Sequence, residues 1–234
     1  MKSAILLCAT ALAVASLSSA RAEDAPGADA VQSRIDLAFG LALTSNYISH
    51  GTTQTEDEPA LQGYVETSYN VFYLGAWASN VSFDGVKDVE IDLYGGVRPT
   101  FGALSLDLGY ARYIYTKDSA VSGEIYAKGT YAVTDTVTPG IELYYDPTNE
   151  TNWSAAKIEV GGLPWETAFS GQVGSEFGSE ELGYTKYAWD AGFSKTFMDD
   201  SVKFDLRYHD ANDEDERFAA TLSYDFSTPL TGSD

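Results

Sequence analysis

From Ile35 to Phe226, apolar and polar residues alternate with a period of two in about twelve bursts of about ten residues, separated by turn residues. Successive side chains of a β-strand point to opposite faces, so each burst reads as a strand with one apolar and one polar face. Strands of this length, many times repeated, are the pattern of a transmembrane β-barrel. The expected fold class is all-β: an antiparallel, up-and-down transmembrane barrel of about twelve strands, with ten and fourteen as the neighbouring counts.

The stripes are clear in individual strands. Ile35, Leu37, Phe39, Leu41 and Leu43 alternate with Asp36, Ala38, Gly40, Ala42 and Thr44. Val202, Phe204, Leu206 and Tyr208 oppose Lys203, Asp205, Arg207 and His209. Across the apolar faces the one clear charge is Arg112, placed near a strand end, where its long stem can lift the guanidinium to the headgroups. Trp153, Trp165 and Trp189 suit the aromatic girdles at the two membrane interfaces.

The connections supply an independent test. They are expected to alternate between long (48–59, 82–88, 116–122, 146–152, 177–183, 210–215) and short (Asn70, 99–102, 133–135, 162–165, 197–200). Outer-membrane barrels have an even strand number, long external loops and short periplasmic turns, and twelve strands satisfy that parity.

Residues 1–22 read as a secretory signal. Lys2 gives the positive start, the stretch from Ala4 to Ser16 is apolar, and Ala20-Arg21-Ala22 is a cleavage site of the A-x-A type. Residues 23–34, with Pro26 and Gly27, form a periplasmic lead-in; the barrel occupies 35–226, and 227–234 is a C-terminal tail. The single cysteine, Cys8, lies in the signal. With Lys2 and Arg21 removed from the 14 Lys and Arg, 12 basic residues face 35 acidic ones. Such an acidic chain has no basic face for nucleic acid. Its 16 Tyr, 11 Phe and 4 Trp argue against disorder, because disordered chains are poor in aromatics.

Leu43-Thr44-Ser45-Asn46-Tyr47-Ile48-Ser49 with Gly51 and Thr53-Gln54-Thr55, then Pro59-Ala60-Leu61-Gln62-Gly63, form a distinctive opening. It resembles that of the TorF-like porin family of proteobacterial outer-membrane proteins. Trp77-Ala78-Ser79-Asn80-Val81, Glu90-Ile91-Asp92-Leu93-Tyr94 and Leu106-Asp107-Leu108-Gly109-Tyr110 are similar to its later blocks. The resemblance runs from about 35 to 226 and implies a barrel and a pore; it supplies neither a substrate nor catalytic residues.

On the polar faces, Asp36, Glu66, Glu90, Asp92, Asp107, Glu124, Glu142, Asp190 and Asp205 are expected to line a lumen with Arg98, Lys128, Lys157, Lys203 and Arg207. Rings of carboxylates favour cations in a pore. The alternative is a lumen closed by these charges pairing with one another, with Tyr64, Tyr94, Tyr126 and Tyr144 filling the space. Glu56-Asp57-Glu58 and the acidic run Asp213, Glu214 and Asp215 are expected on external loops, as a solvated face or as oxygen ligands for divalent cations.

His50 and His209 are the only neutral-pH bases, and each reads as a histidine beside a loop. No catalytic residue, metal site or cofactor is expected. The sequence therefore predicts an exported bacterial outer-membrane channel for passive diffusion of small solutes, preferring cations. Its partners are outer-membrane lipid, lipopolysaccharide and the solutes or cations themselves, and nucleic acid is not among them. The alternative is a non-conducting barrel whose acidic external loops bind a ligand, a divalent cation or a partner.

Overall fold

The structure, a computed structural model, describes residues 35–117, 121–178 and 185–230. The signal and lead-in expected over 1–34, and the last four residues of the tail, lie outside the described residues. Twelve long strands run antiparallel: β1 (Ile35–Thr44), β2 (Ala60–Tyr69), β3 (Phe72–Phe83), β4 (Val86–Val97), β5 (Leu104–Tyr115) and β6 (Val121–Tyr131). They are followed by β7 (Val137–Asp146), β8 (Thr151–Leu163), β9 (Thr167–Phe177), β10 (Lys186–Phe197), β11 (Val202–Ala211) and β12 (Glu214–Pro229).

Each strand pairs with its neighbours in sequence, and β1 pairs with β12, so the sheet closes into an up-and-down barrel. Closure leaves no edge with unpaired backbone groups, which lipid would not satisfy. The seam runs from Asp36 opposite Pro229 to Thr44 opposite Thr221, and the rings of Phe39 and Phe226 pack across it at 5.2 Å. β12 thus continues three residues past Phe226, the expected end of the barrel. Both ends of the described chain lie at the same rim, beside the short turns.

The period-two stripes sort as expected. Leu41, Leu61, Leu74, Ile125, Phe193 and Phe218 are more than half exposed on the outer wall, forming an apolar belt. Arg112 is on that wall too, opposite Leu93 and Gly123. Trp165 and Trp189 are exposed, but Trp153 points inward and is buried, so the girdle expectation fails for it. Its parity decides this: Trp153 shares the inner face of β8 with Ala155 and Lys157.

The expected contrast of long and short connections is weaker than anticipated. Residues 82–88 are almost wholly strand: Ser82 pairs with Lys87 and Phe83 with Val86, leaving Asp84-Gly85 as a two-residue turn with φ of 52° and 75°. Asp-Gly is a favoured pair for that left-handed hairpin geometry. Between β11 and β12 the turn is likewise short. The 45–59 connection is the long exception within the described residues, and it does not project outward.

Inside the wall, several aromatic rings lie down over glycines of the neighbouring strand. Tyr94 is opposite Gly75 and Tyr126 opposite Gly109. A Cβ at Gly75 would stand 2.5 Å from the Tyr94 ring, so only glycine lets the ring lie flat there.

Candidate functional site in the barrel lumen

The first connection, 45–59, folds into the barrel. Asn46 organises it: its amide oxygen accepts from the Thr53 and Thr55 hydroxyls at 2.6 and 3.1 Å, and its nitrogen donates to Asp57 at 2.7 Å. Ile48–Ser49 pairs with Thr52–Thr53, and His50-Gly51 makes the turn with φ of 47° and 81°. This small hairpin crosses the lumen from the β1–β2 side to the opposite wall.

There the His50 imidazole stacks on Trp153 of β8, with centroids 3.9 Å apart and planes 9° apart, and meets Tyr144 of β7 edge-on. Gly51 sits between Ala188 of β10 and Ala211 of β11; a Cβ on it would lie 2.8 Å from each of theirs. The Lys186 ammonium donates to the Thr52 hydroxyl. On the near side Tyr47 packs edge-on to Trp77, and the Ser82 amide donates to the Gln54 carbonyl.

Burial, and then the charge of Lys186, lower the His50 pKa from 6.5 to about 3, so the docked imidazole is neutral. His50 is therefore a buried lumen residue rather than a loop-surface histidine. His209 also faces the lumen rather than the outside, from β11.

The acidic residues of this connection stay at the rim and hold it down. Glu56 accepts from the Ser82 hydroxyl and the Gly85 amide, and these bonds lower its pKa. Asp57 pairs with Arg217 at 2.6 Å and Glu58 with Lys87 at 2.6 Å. At the same rim Asp213 pairs with Lys186 at 3.5 Å and Glu214 with Arg217 at 3.1 Å, while Asp215 is exposed. Among the described residues, no group of three or more His, Asp or Glu is arranged to hold a metal ion.

The residues expected to line the lumen divide into two sets. Glu90, Asp92 and Glu124 point inward but are fully buried. Glu90 and Asp92 stand two residues apart on the inner face of β4, and Tyr113 donates to Glu124 at 2.5 Å. They are packed into the wall side of the lumen rather than presented to water. Glu66 is also buried, taking both ends of the Arg98 guanidinium at 2.6 and 3.1 Å, while Asp36 lies at the terminal rim.

The second set forms a girdle that follows the hydrogen-bonding direction from strand to strand. Arg98 contacts Asp107 at 3.3 Å; Asp107 is directly opposite Lys128, and Lys128 opposite Glu142. Lys157 reaches Glu142 at 2.9 Å and is opposite Gln172, which is opposite Asp190. Arg207 closes the series on Asp190 at 2.5 Å and Asp205 at 3.1 Å. Positive and negative groups thus alternate from Arg98, just past β4, to Arg207 on β11, interrupted on β9 by the neutral Gln172.

Girdle, hairpin tip and aromatics enclose a cavity of about 540 Å³, running from His50 and Trp153 down to Thr100, Ser105 and Thr130 near the short turns. That volume falls in the range of small-molecule sites. The sequence hid the hairpin's role, though His50-Gly51 between Ile48–Ser49 and Thr52–Thr53 carries a local hairpin signal: a turn-forming pair flanked by β-branched residues.

The family described as "Bacterial protein of unknown function (Gcw_chp)" matches residues 28–229. No curated protein is significantly similar to the chain. Among solved structures, a KdgM porin in complex with disordered oligogalacturonate is similar at a TM-score of 0.58 and 11% identity, covering 82% of this chain and 99% of the porin. An outer-membrane channel from Pseudomonas putida F1 is similar at 0.52 and 9% identity, covering 88% of this chain and 100% of the channel. At these identities the likeness is one of fold: the closed barrel resembles those of outer-membrane porins and channels.

Proposed function

Because this chain belongs to the Gcw_chp family of bacterial proteins, whose function is unknown, its activity must be read from the barrel, and we propose a porin-like outer-membrane channel for passive diffusion of small solutes. One observation carries the reading: a closed twelve-stranded barrel with an apolar outer belt surrounds a cavity lined by ionisable side chains. A polar interior inside a lipid-facing wall is the arrangement of a diffusion pore. The resemblance of the sequence blocks to TorF-like porins agrees with it. In this orientation the 45–59 hairpin enters from the external end and the chain termini lie in the periplasm.

Cation preference arises at the external mouth rather than at the girdle. Along the girdle positive and negative groups alternate, whereas Glu56, Asp57, Glu58, Asp213, Glu214 and Asp215 crowd one rim. Lys87, Lys186 and Arg217 pair with part of this set and leave the rim net negative, and a net charge of one sign raises the local concentration of counter-ions. The second reading, a non-conducting barrel, is favoured by one feature, the hairpin across the lumen.

Conductance of the refolded mature protein in a planar bilayer under a potassium chloride gradient separates the two. Discrete openings with a cation-favouring reversal potential are expected. A correctly folded barrel that stays silent, also when Gly51→Ala displaces the hairpin, would leave the non-conducting reading standing.

A further inference from the structure

We propose that the cavity beneath the hairpin takes small zwitterions, with the solute carboxylate on Lys128 and its ammonium on Glu142. This rests on the channel reading for transport, but not for binding.

Lys128 is distinctive among the girdle cations. Arg98, Lys157 and Arg207 each hold a carboxylate within 3.3 Å. Among the described residues none lies within ion-pairing distance of the Lys128 ammonium, whose contacts are the faces of the Tyr126 and Tyr144 rings at 4.9 and 5.3 Å. An ammonium has three donors, and ring faces do not saturate them. The side chain lines the cavity, so those donors are presented to whatever enters.

Its neighbours define the partner. Lys128 is directly opposite Asp107 on one side and Glu142 on the other. Asp107 is committed to Arg98 and to the Tyr73 hydroxyl, whereas among the described residues Glu142 forms an ion pair with Lys157 alone. A carboxylate has about four lone-pair sites, so Glu142 keeps acceptor capacity. Side chains directly opposite across a ladder start about 5 Å apart at Cβ. Lys128 and Glu142 are thus an adjacent, unclosed pair of opposite charges.

That pattern discriminates. A plain anion drawn to Lys128 is flanked by two carboxylates, and a plain cation drawn to Glu142 meets Lys128. A solute carrying both charges one carbon apart satisfies both walls. Tyr144 and the neutral His50–Trp153 stack then give its side chain an apolar surface.

The test compares two isomers, zwitterionic L-alanine and neutral lactamide, in proteoliposome swelling. L-Alanine is expected to enter several-fold faster than lactamide, and the ratio should fall to about one or below in Lys128→Met and in Glu142→Gln. A wild-type ratio of about one or below, or a higher ratio that both variants keep, overturns the proposal while leaving the channel intact.

Saturation-transfer NMR on the refolded barrel reads binding without flux. Transfer to the alanine methyl, absent for lactamide and lost in Lys128→Met, supports the site even if no solute permeates, in which case only the channel reading fails. No transfer, or equal transfer to both isomers, overturns the proposal.

Discussion

The imidazole of His50 and the indole of Trp153 lie face to face at 3.9 Å although they are 103 residues apart, one on a hairpin rooted at β1, the other on the far wall. The contact holds while His50 is neutral. Its pKa is lowered to about 3 in the docked hairpin, first by burial and then by Lys186, and returns towards 6.5 when the hairpin is released. Below pH 6.5 the released hairpin takes up a proton that the docked one refuses. Docking is therefore at full strength above that pH and weakens, by roughly 1.4 kcal/mol per unit, as pH falls towards 3. Unitary conductance should rise between pH 7 and pH 4.5. His50→Gln should abolish the step and His209→Gln should preserve it; a wild-type conductance that ignores pH would sink the idea.

Gly51→Ala should undock the hairpin at neutral pH. The added Cβ would meet Ala188 and Ala211 at 2.8 Å, and φ of 81° is strained for alanine. Left-handed strain in a non-glycine residue costs about 1–3 kcal/mol before the clash is counted. Larger single-channel currents, with the β-sheet circular dichroism of wild type, are the expected result; unchanged currents would show that the hairpin does not limit flow.

Arg98→Met should destabilise the barrel. The guanidinium clamps buried Glu66 bidentately, reaches Asp107, and lies 3.6 Å from the centroid of the Tyr73 ring. Removing one member of a buried charge pair costs about 3–5 kcal/mol. Arg98→Lys should recover only part of this, because a point charge cannot fork. Urea unfolding followed by tryptophan fluorescence measures both; equal midpoints for Met, Lys and wild type would refute the clamp.

Gly75→Val should be among the more damaging single changes to the wall. The Tyr94 ring occupies the space its side chain needs, and overpacking of this kind costs typically 1–3 kcal/mol. The double variant with Tyr94→Ala should recover much of the loss in the same unfolding experiment. Additive losses would mean the two residues do not share that space.

The twelve strands were legible because a barrel wall has a different solvent on each face, which writes period two directly into the chain. The girdle was partly legible too, since in a meander Asp107, Lys128 and Glu142 fall on consecutive polar faces. Their registers were not, because a shift of two residues keeps every face and changes every partner. The hairpin was misread for a physical reason. Ser49, Gln54 and Thr55 read as exposed in a chain whose core is apolar, but the interior of this barrel is polar and such residues are what it buries. The same inversion hid Trp153, whose size suggested the lipid interface and whose parity puts it inside.

The seam between β1 and β12 also constrains how the molecule comes into being. Every other ladder joins neighbours in sequence and can form as soon as both strands exist. Asp36 meets Pro229 only after the whole chain between them has been made. Contacts between such distant residues carry the largest loop-closure entropy and form late. Until that last ladder zips, β1 and β12 are open edges able to pair with any other strand, so an insertion machinery has one interval in which to act: it must shield two edges and release them onto each other.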